Sequence, residues 1–157
     1  MVPWWEVTLR LLFASLVGGI IGWEREVRDK PAGFRTHILV SVAAAIYVLA
    51  AQQVALEFGE PMDALRAMAG IAGGVGFLGA GVILRSRGEV RWLTTAAALW
   101  ADAALGMAAG MGVYFIAALG SLLVLVDLHW LSGLEKRFAA RWRRQRPEIP
   151  EIEESEE

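Results

Sequence analysis

Asp102 is the single charged residue between Trp92 and Val126. A carboxylate at the centre of a helix in hydrocarbon costs about 2.5–3.5 kcal/mol on insertion scales, so it needs a partner, a proton or water. Thr95, Leu99 and Gly106 fall on the same helical face. Two readings follow. Asp102 belongs to a functional polar site that engages a proton or a cation, or it is a hydrogen-bonded group that holds helices together.

The other polar sets carry less chemistry. Glu24, Arg25 and Glu26 are followed by "PAGFRTH", which contains Arg35. This charge cluster either orients the chain at an interface or forms a polar mouth there; Pro31 and Gly33 favour a fixed turn. Thr94 and Thr95 either cap a helix or make contacts between helices or with a partner. His37 has no spaced set of fellow ligands, so no metal site is expected. With no cysteine, thiolate chemistry and disulfides are excluded. No nucleophile–base pair is evident, so neither catalysis nor a cofactor is expected. "GVGFLG", residues 74–79, reads G-x-G-x-x-G. A dinucleotide site would need a strand before it and a βαβ unit around it. The stretch lies instead inside an uncharged run from Ala67 to Leu84.

Such runs set the architecture. Ile38–Leu56 is also free of charge, the chain is 56% hydrophobic, and its mean hydropathy is positive. About 20 apolar helical residues cross a bilayer core. The runs predict an all-α integral membrane protein, a compact bundle of about five transmembrane helices. The expected spans are Trp4–Trp23, Thr36–Leu56, Leu65–Leu84, Leu93–Gly110 and Val113–Leu131. The last two are divided at "AAGMG" because a single helix from Trp92 to Trp130 would extend about 58 Å. "MVPWWEVTLR" lacks the basic start of a signal peptide, so the first span is expected to be retained.

Thirteen of the fifteen Lys and Arg residues fall on one side of this arrangement, leaving only Arg10 and Arg66 on the other. The positive-inside rule then places the N-terminus outside and the C-terminus in the cytoplasm. Trp4, Trp5 and Tyr114 fall at outer ends, and Trp23, Trp92 and Trp130 at inner ends, where interfacial aromatics belong. Arg10 can pair with Glu6 one turn earlier. Residues 1–131 thus read as the membrane domain. Residues 132–146, with Leu134, Phe138 and Trp142 among arginines, read as a basic amphipathic helix on the inner leaflet. Residues 147–157 read as an acidic disordered tail. The short, membrane-adjacent basic patch argues against nucleic-acid binding.

Small residues let membrane helices approach closely. Gly18 with Gly22, Gly70 with Gly74, and Gly106 with Gly110 have GxxxG spacing, and Gly73, Gly76 and Gly79 extend the third span's small surface. The expectation is close glycine- and alanine-mediated packing with the third span near the centre. The same faces are compatible with a homodimer.

Three ordered segments carry a family resemblance: "GGIIGWEREVRDKPAGFRTHILVSVAAA" (18–45), "RAMAGIAGGVGFLGAGVILR" (66–85) and "VRWLTTAAALWADAALGMAAG" (90–110). The chain resembles the MgtC/SapB family of bacterial inner-membrane proteins over most of residues 8–128. The resemblance implies a small multispanning domain linked to magnesium limitation, acid stress or virulence-related survival. It also implies a non-enzymatic regulator whose partners are the lipid bilayer and other inner-membrane proteins, the F-type ATP synthase among them. Arg25, Arg35 and Thr94 match family motif positions. A cation or proton pathway using Asp102 is the alternative reading. Many members carry a soluble domain after the membrane part, where this chain has only a short tail. Trp92 stands where a glycine is usual, and Asp102 where an uncharged residue is more usual.

Overall fold

The computed structural model describes residues 2–58, 64–86 and 89–131. The expected interfacial helix and acidic tail lie outside them. Five α-helices form: α1 (Trp4–Val27), α2 (Phe34–Phe58), α3 (Ala64–Val82), α4 (Leu93–Gly110) and α5 (Tyr114–Val126). Between α3 and α4 the chain makes a small antiparallel hairpin, β1 (Leu84–Ser86) with β2 (Glu89–Arg91), in which Arg85 faces Val90. The sequence reading had only a connecting loop there. A second compact unit begins at Val126, and its described part includes the single π-helical turn Asp127–Leu131.

Two of the described helices, Trp4–Val27 and Phe34–Glu57, are long and apolar enough to cross a membrane. Leu39, Tyr47, Phe77, Phe115 and Ile116 stand exposed on the outside, while the interior combines alanine and glycine with Val, Leu and Ile and a few polar groups. The outward side chains leave extended apolar surface to be covered.

Helix ends follow local chemistry. After α4, the Gly112 N–H donates to Ala109 O and the Val113 N–H to Ala108 O, a Schellman motif with Gly112 at φ +79°. This places the break where "AAGMG" suggested. α1 ends the same way: the Asp29 N–H donates to Glu26 O and the Lys30 N–H to Arg25 O, with Asp29 at φ 51°. Glu26 Oε2 then accepts the Phe34 N–H at 2.9 Å, capping the start of α2. A side chain at Gly33 would collide with that carboxylate. Trp92, immediately before α4, has φ +67°. This left-handed conformation is one that glycine adopts more easily than tryptophan. Arg91 sits 5.8 Å from the Trp92 ring centre, a cation–π contact.

The centre of the bundle is α2, not α3. α1 closes on it through Gly18, where a Cβ would lie 2.7 Å from His37 O, and Gly22, where one would lie 2.8 Å from Phe34 Cα. α4 closes on it through Gly106, where a side chain would overlap the Ser41 carbonyl, and Gly110, where a Cβ would lie 2.8 Å from Ala45 Cα. Ala14, Ala45, Ala109 and Ala117, all fully buried, form a layer joining α1, α2, α4 and α5.

The third helix corrects the sequence reading. Gly70, Gly73, Gly74 and Gly76 have no described atom within 4 Å of where a Cβ would stand, whereas Gly79 meets Ala96 Cβ at 3.5 Å. Within this chain α3 packs on α4 and one side of α2 and leaves most of its glycine face open. Glycine spacing marks a face that can take close contact; it does not say whether a neighbour from the same chain supplies it.

Arg10 fastens one end of the bundle. Its guanidinium donates to Gln52 Oε1 and to Gly110 O, each at 2.8 Å, and pairs with Glu6. One buried cation therefore ties α1 to α2 and to the C-terminal end of α4, where the helix dipole favours positive charge. Arg10→Met is expected to lower stability by about 3 kcal/mol, the scale for breaking a buried charged network. Thermal unfolding in detergent measures it. A change under about 0.5 kcal/mol, the range of ordinary surface substitutions, would show that Arg10 does not fasten the helices.

Candidate functional site

The glycine contacts that close α1 and α4 onto α2 bring one face of each helix together around a polar core. On α2 the face presents His37 and, one turn on, Ser41. On α4 it presents Asp102 and, one turn on, Gly106. Because Gly106 lets α4 approach the Ser41 backbone, Asp102 reaches the ring of His37. Nδ1 of His37 and Oδ2 of Asp102 are 3.2 Å apart, and both side chains are 0% exposed. Thr95 and Ser41 are also buried.

Hydrogen-bond capacity is left over in this core. Among the described residues, His37 Nε2, Ser41 Oγ and Asp102 Oδ1 are buried with no hydrogen-bond partner. Serine, histidine and aspartate together invite comparison with a hydrolytic triad, which needs the hydroxyl bonded to the imidazole. Ser41 Oγ and His37 Nε2 each lack a hydrogen bond, so that link is absent, and none of the three side chains is open to a substrate. The described residues contain no group of three or more His, Asp or Glu able to hold a metal ion.

Of the residues singled out from sequence, Asp102 belongs to this core, and Thr95 is buried two turns earlier on α4. Thr94 is exposed at the start of α4. Arg25 is buried one turn beyond Gly22, and its Nε lies 2.6 Å from Glu24 Oε2. Arg28 Nε lies 2.6 Å from the other oxygen of Glu24. Arg35 is exposed in the first turn of α2. The ion pairs at the end of α1 thus join Arg25 and Arg28 to Glu24. Sequence reasoning missed His37 as the partner of Asp102. A usable signal was present: a polar residue and a small residue four apart on each of two helices, His37 with Ser41 and Asp102 with Gly106.

The chain matches the model of the MgtC family over residues 11–137. It is 38% identical to protein SapB of Bacillus subtilis over 137 residues, covering 84% of this chain and 59% of that protein. It is 38% identical to the putative magnesium transporter YhiD of Escherichia coli K12 over 137 residues, 84% of this chain and 63% of that protein. It is 41% identical to protein MgtC of Salmonella typhimurium 14028s over 117 residues, 74% of this chain and 48% of that protein. The chain thus spans roughly half to three fifths of the length of these relatives. No solved structure matches it. The agreement with the family model over residues 11–137, together with these relatives, shows that this chain belongs to the MgtC family.

Proposed function

We propose that the chain is a multi-pass domain of the bacterial inner membrane, with its N-terminus outside and its C-terminus in the cytoplasm. In this reading it is a non-enzymatic regulator that binds other membrane proteins during adaptation to magnesium limitation or acid. The F-type ATP synthase is one candidate partner. The observation that favours regulation over transport is the enclosure of the His37–Asp102 pair in the helix core. His37 and Asp102 are both 0% exposed, and backbone-level contacts at Gly18, Gly22 and Gly106 close the helices around them. An ion route must open its binding group to each side of the membrane in turn, and in this conformation neither side chain is exposed. The pair instead gives the bundle a fixed polar core, while large apolar side chains on the outside are available to partners in the bilayer.

A second reading, a cation or proton pathway through Asp102, draws on the pair itself. Intramembrane ionisable groups commonly mark ion routes, and one relative's name is that of a putative magnesium transporter. Photo-crosslinking from outward positions such as Phe77 and Phe115, in native membranes, tests the leading reading. The expected result is reproducible capture of a defined membrane-protein complex. Crosslinks to lipid alone from every outward position would contradict it.

A further inference from the structure

An apolar groove of about 650 Å³ runs between α2 and α3. Small residues make it: Ala43, Ala44 and Ala51 on one wall, Gly70 and Gly74 on the other. Arg66, in the first turn of α3, is the one charged side chain among the described residues that line it, and Leu78 lies about 18 Å further along the helix. The groove is therefore long and apolar, with a cation near one end.

We propose that this groove binds one anionic phospholipid, its phosphate on Arg66 and one acyl chain along the open glycine face of α3. The proposal rests on the membrane reading above. An acyl chain is slim and flexible enough to follow such a groove along its length, and a helix of a second copy or of a partner is the competing occupant. Charge argues for an anionic headgroup. Bilayer hydrocarbon is as apolar as the groove, so burial alone selects no lipid. Arg66 supplies the selection. Arg66 already holds an interaction within the protein. A guanidinium has five N–H donors in a planar fork that matches phosphate oxygens, so it can serve both.

The test uses the whole chain, purified in detergent and mixed with equal amounts of phosphatidylglycerol and phosphatidylcholine. Native mass spectrometry then reads the retained lipid. One phosphatidylglycerol per chain is expected, preferred about tenfold, the scale of one charge-assisted contact. Arg66→Gln should abolish the preference. Gly74→Leu should fill the groove and remove the lipid while the protein keeps its helicity and melting temperature, since no described atom lies within 4 Å of a Cβ there. Equal retention of the two lipids overturns the proposal. So does retention unchanged by Gly74→Leu, or a second copy or partner helix crosslinked at Gly74 with no lipid retained. Alkaline carbonate extraction keeps the premise separate. Release from the membrane fraction contradicts the membrane reading, whereas membrane-retained protein without the lipid preference contradicts the lipid site alone.

Discussion

Gly106→Leu is expected to prevent the bundle from forming. The position lies directly against the Ser41 backbone, so even a Cβ would overlap the carbonyl oxygen. Main chain cannot swing aside as a side chain can. α4 would have to separate from α2, losing the His37–Asp102 contact and the alanine layer together. Overpacking a core costs about 1–3 kcal/mol where side chains can yield, and here they cannot, so the loss should reach the upper end or beyond. Gly74→Leu is the matched control: the same change on a neighbouring helix, with no described atom within 4 Å. It should melt within about 1 kcal/mol of the parent, helped by leucine's better helix propensity. Thermal unfolding of both variants in one detergent decides the matter. Equal damage from the two, or none from Gly106→Leu, would remove α2 from the centre of the bundle.

That contrast marks how far the sequence could be read. Uncharged runs located the helices, and the "AAGMG" break was legible because glycine in the left-handed region ends a helix by a known pattern. The Gly18/Gly22 and Gly106/Gly110 pairs were legible as small faces. What periodicity could not supply was the identity of the facing helix. Gly70 and Gly74 have the same spacing as Gly106 and Gly110, yet one pair faces a groove and the other faces backbone. The site was half visible for the same reason. Asp102 announced itself by the cost of its charge. Its partner lies 65 residues earlier on another helix, and a lone histidine in an apolar run carries no mark of where its ring points. The left-handed backbone at Trp92 was not read either: the glycine expected there from the family resemblance hints at a positive φ, but the tryptophan itself does not.

Asp102→Leu carries the second large effect. It leaves the buried His37 ring with no partner for Nδ1, and stranding a buried polar group costs about 1–3 kcal/mol. Asp102→Asn differs. Its amide can donate to Nδ1 or accept from it, depending on the ring's tautomer, so it should keep the fold within about 1 kcal/mol, as near-isosteric swaps commonly do. If the polar core works only as a brace, Asn should also keep function. The enclosed pair, as a fixed polar core, predicts that result: a folded Asn variant that still supports growth at low magnesium or low pH. A double-mutant cycle over His37→Ala and Asp102→Ala should show coupling of about 1 kcal/mol or more, as contacting buried residues do. Additive losses would show that the 3.2 Å pair contributes no shared energy, and a folded but inactive Asn variant would give Asp102 a role beyond bracing the bundle.

Cation and proton flux through the purified chain in liposomes most directly tests whether the enclosed pair belongs to a regulator or to a pathway. With His37 and Asp102 sealed between α1, α2 and α4, flux of protons, sodium or magnesium should match that of empty liposomes across imposed pH and magnesium gradients. Flux well above that background, abolished by Asp102→Asn in a protein that remains folded, would contradict the regulatory account and assign the pair to a transport route.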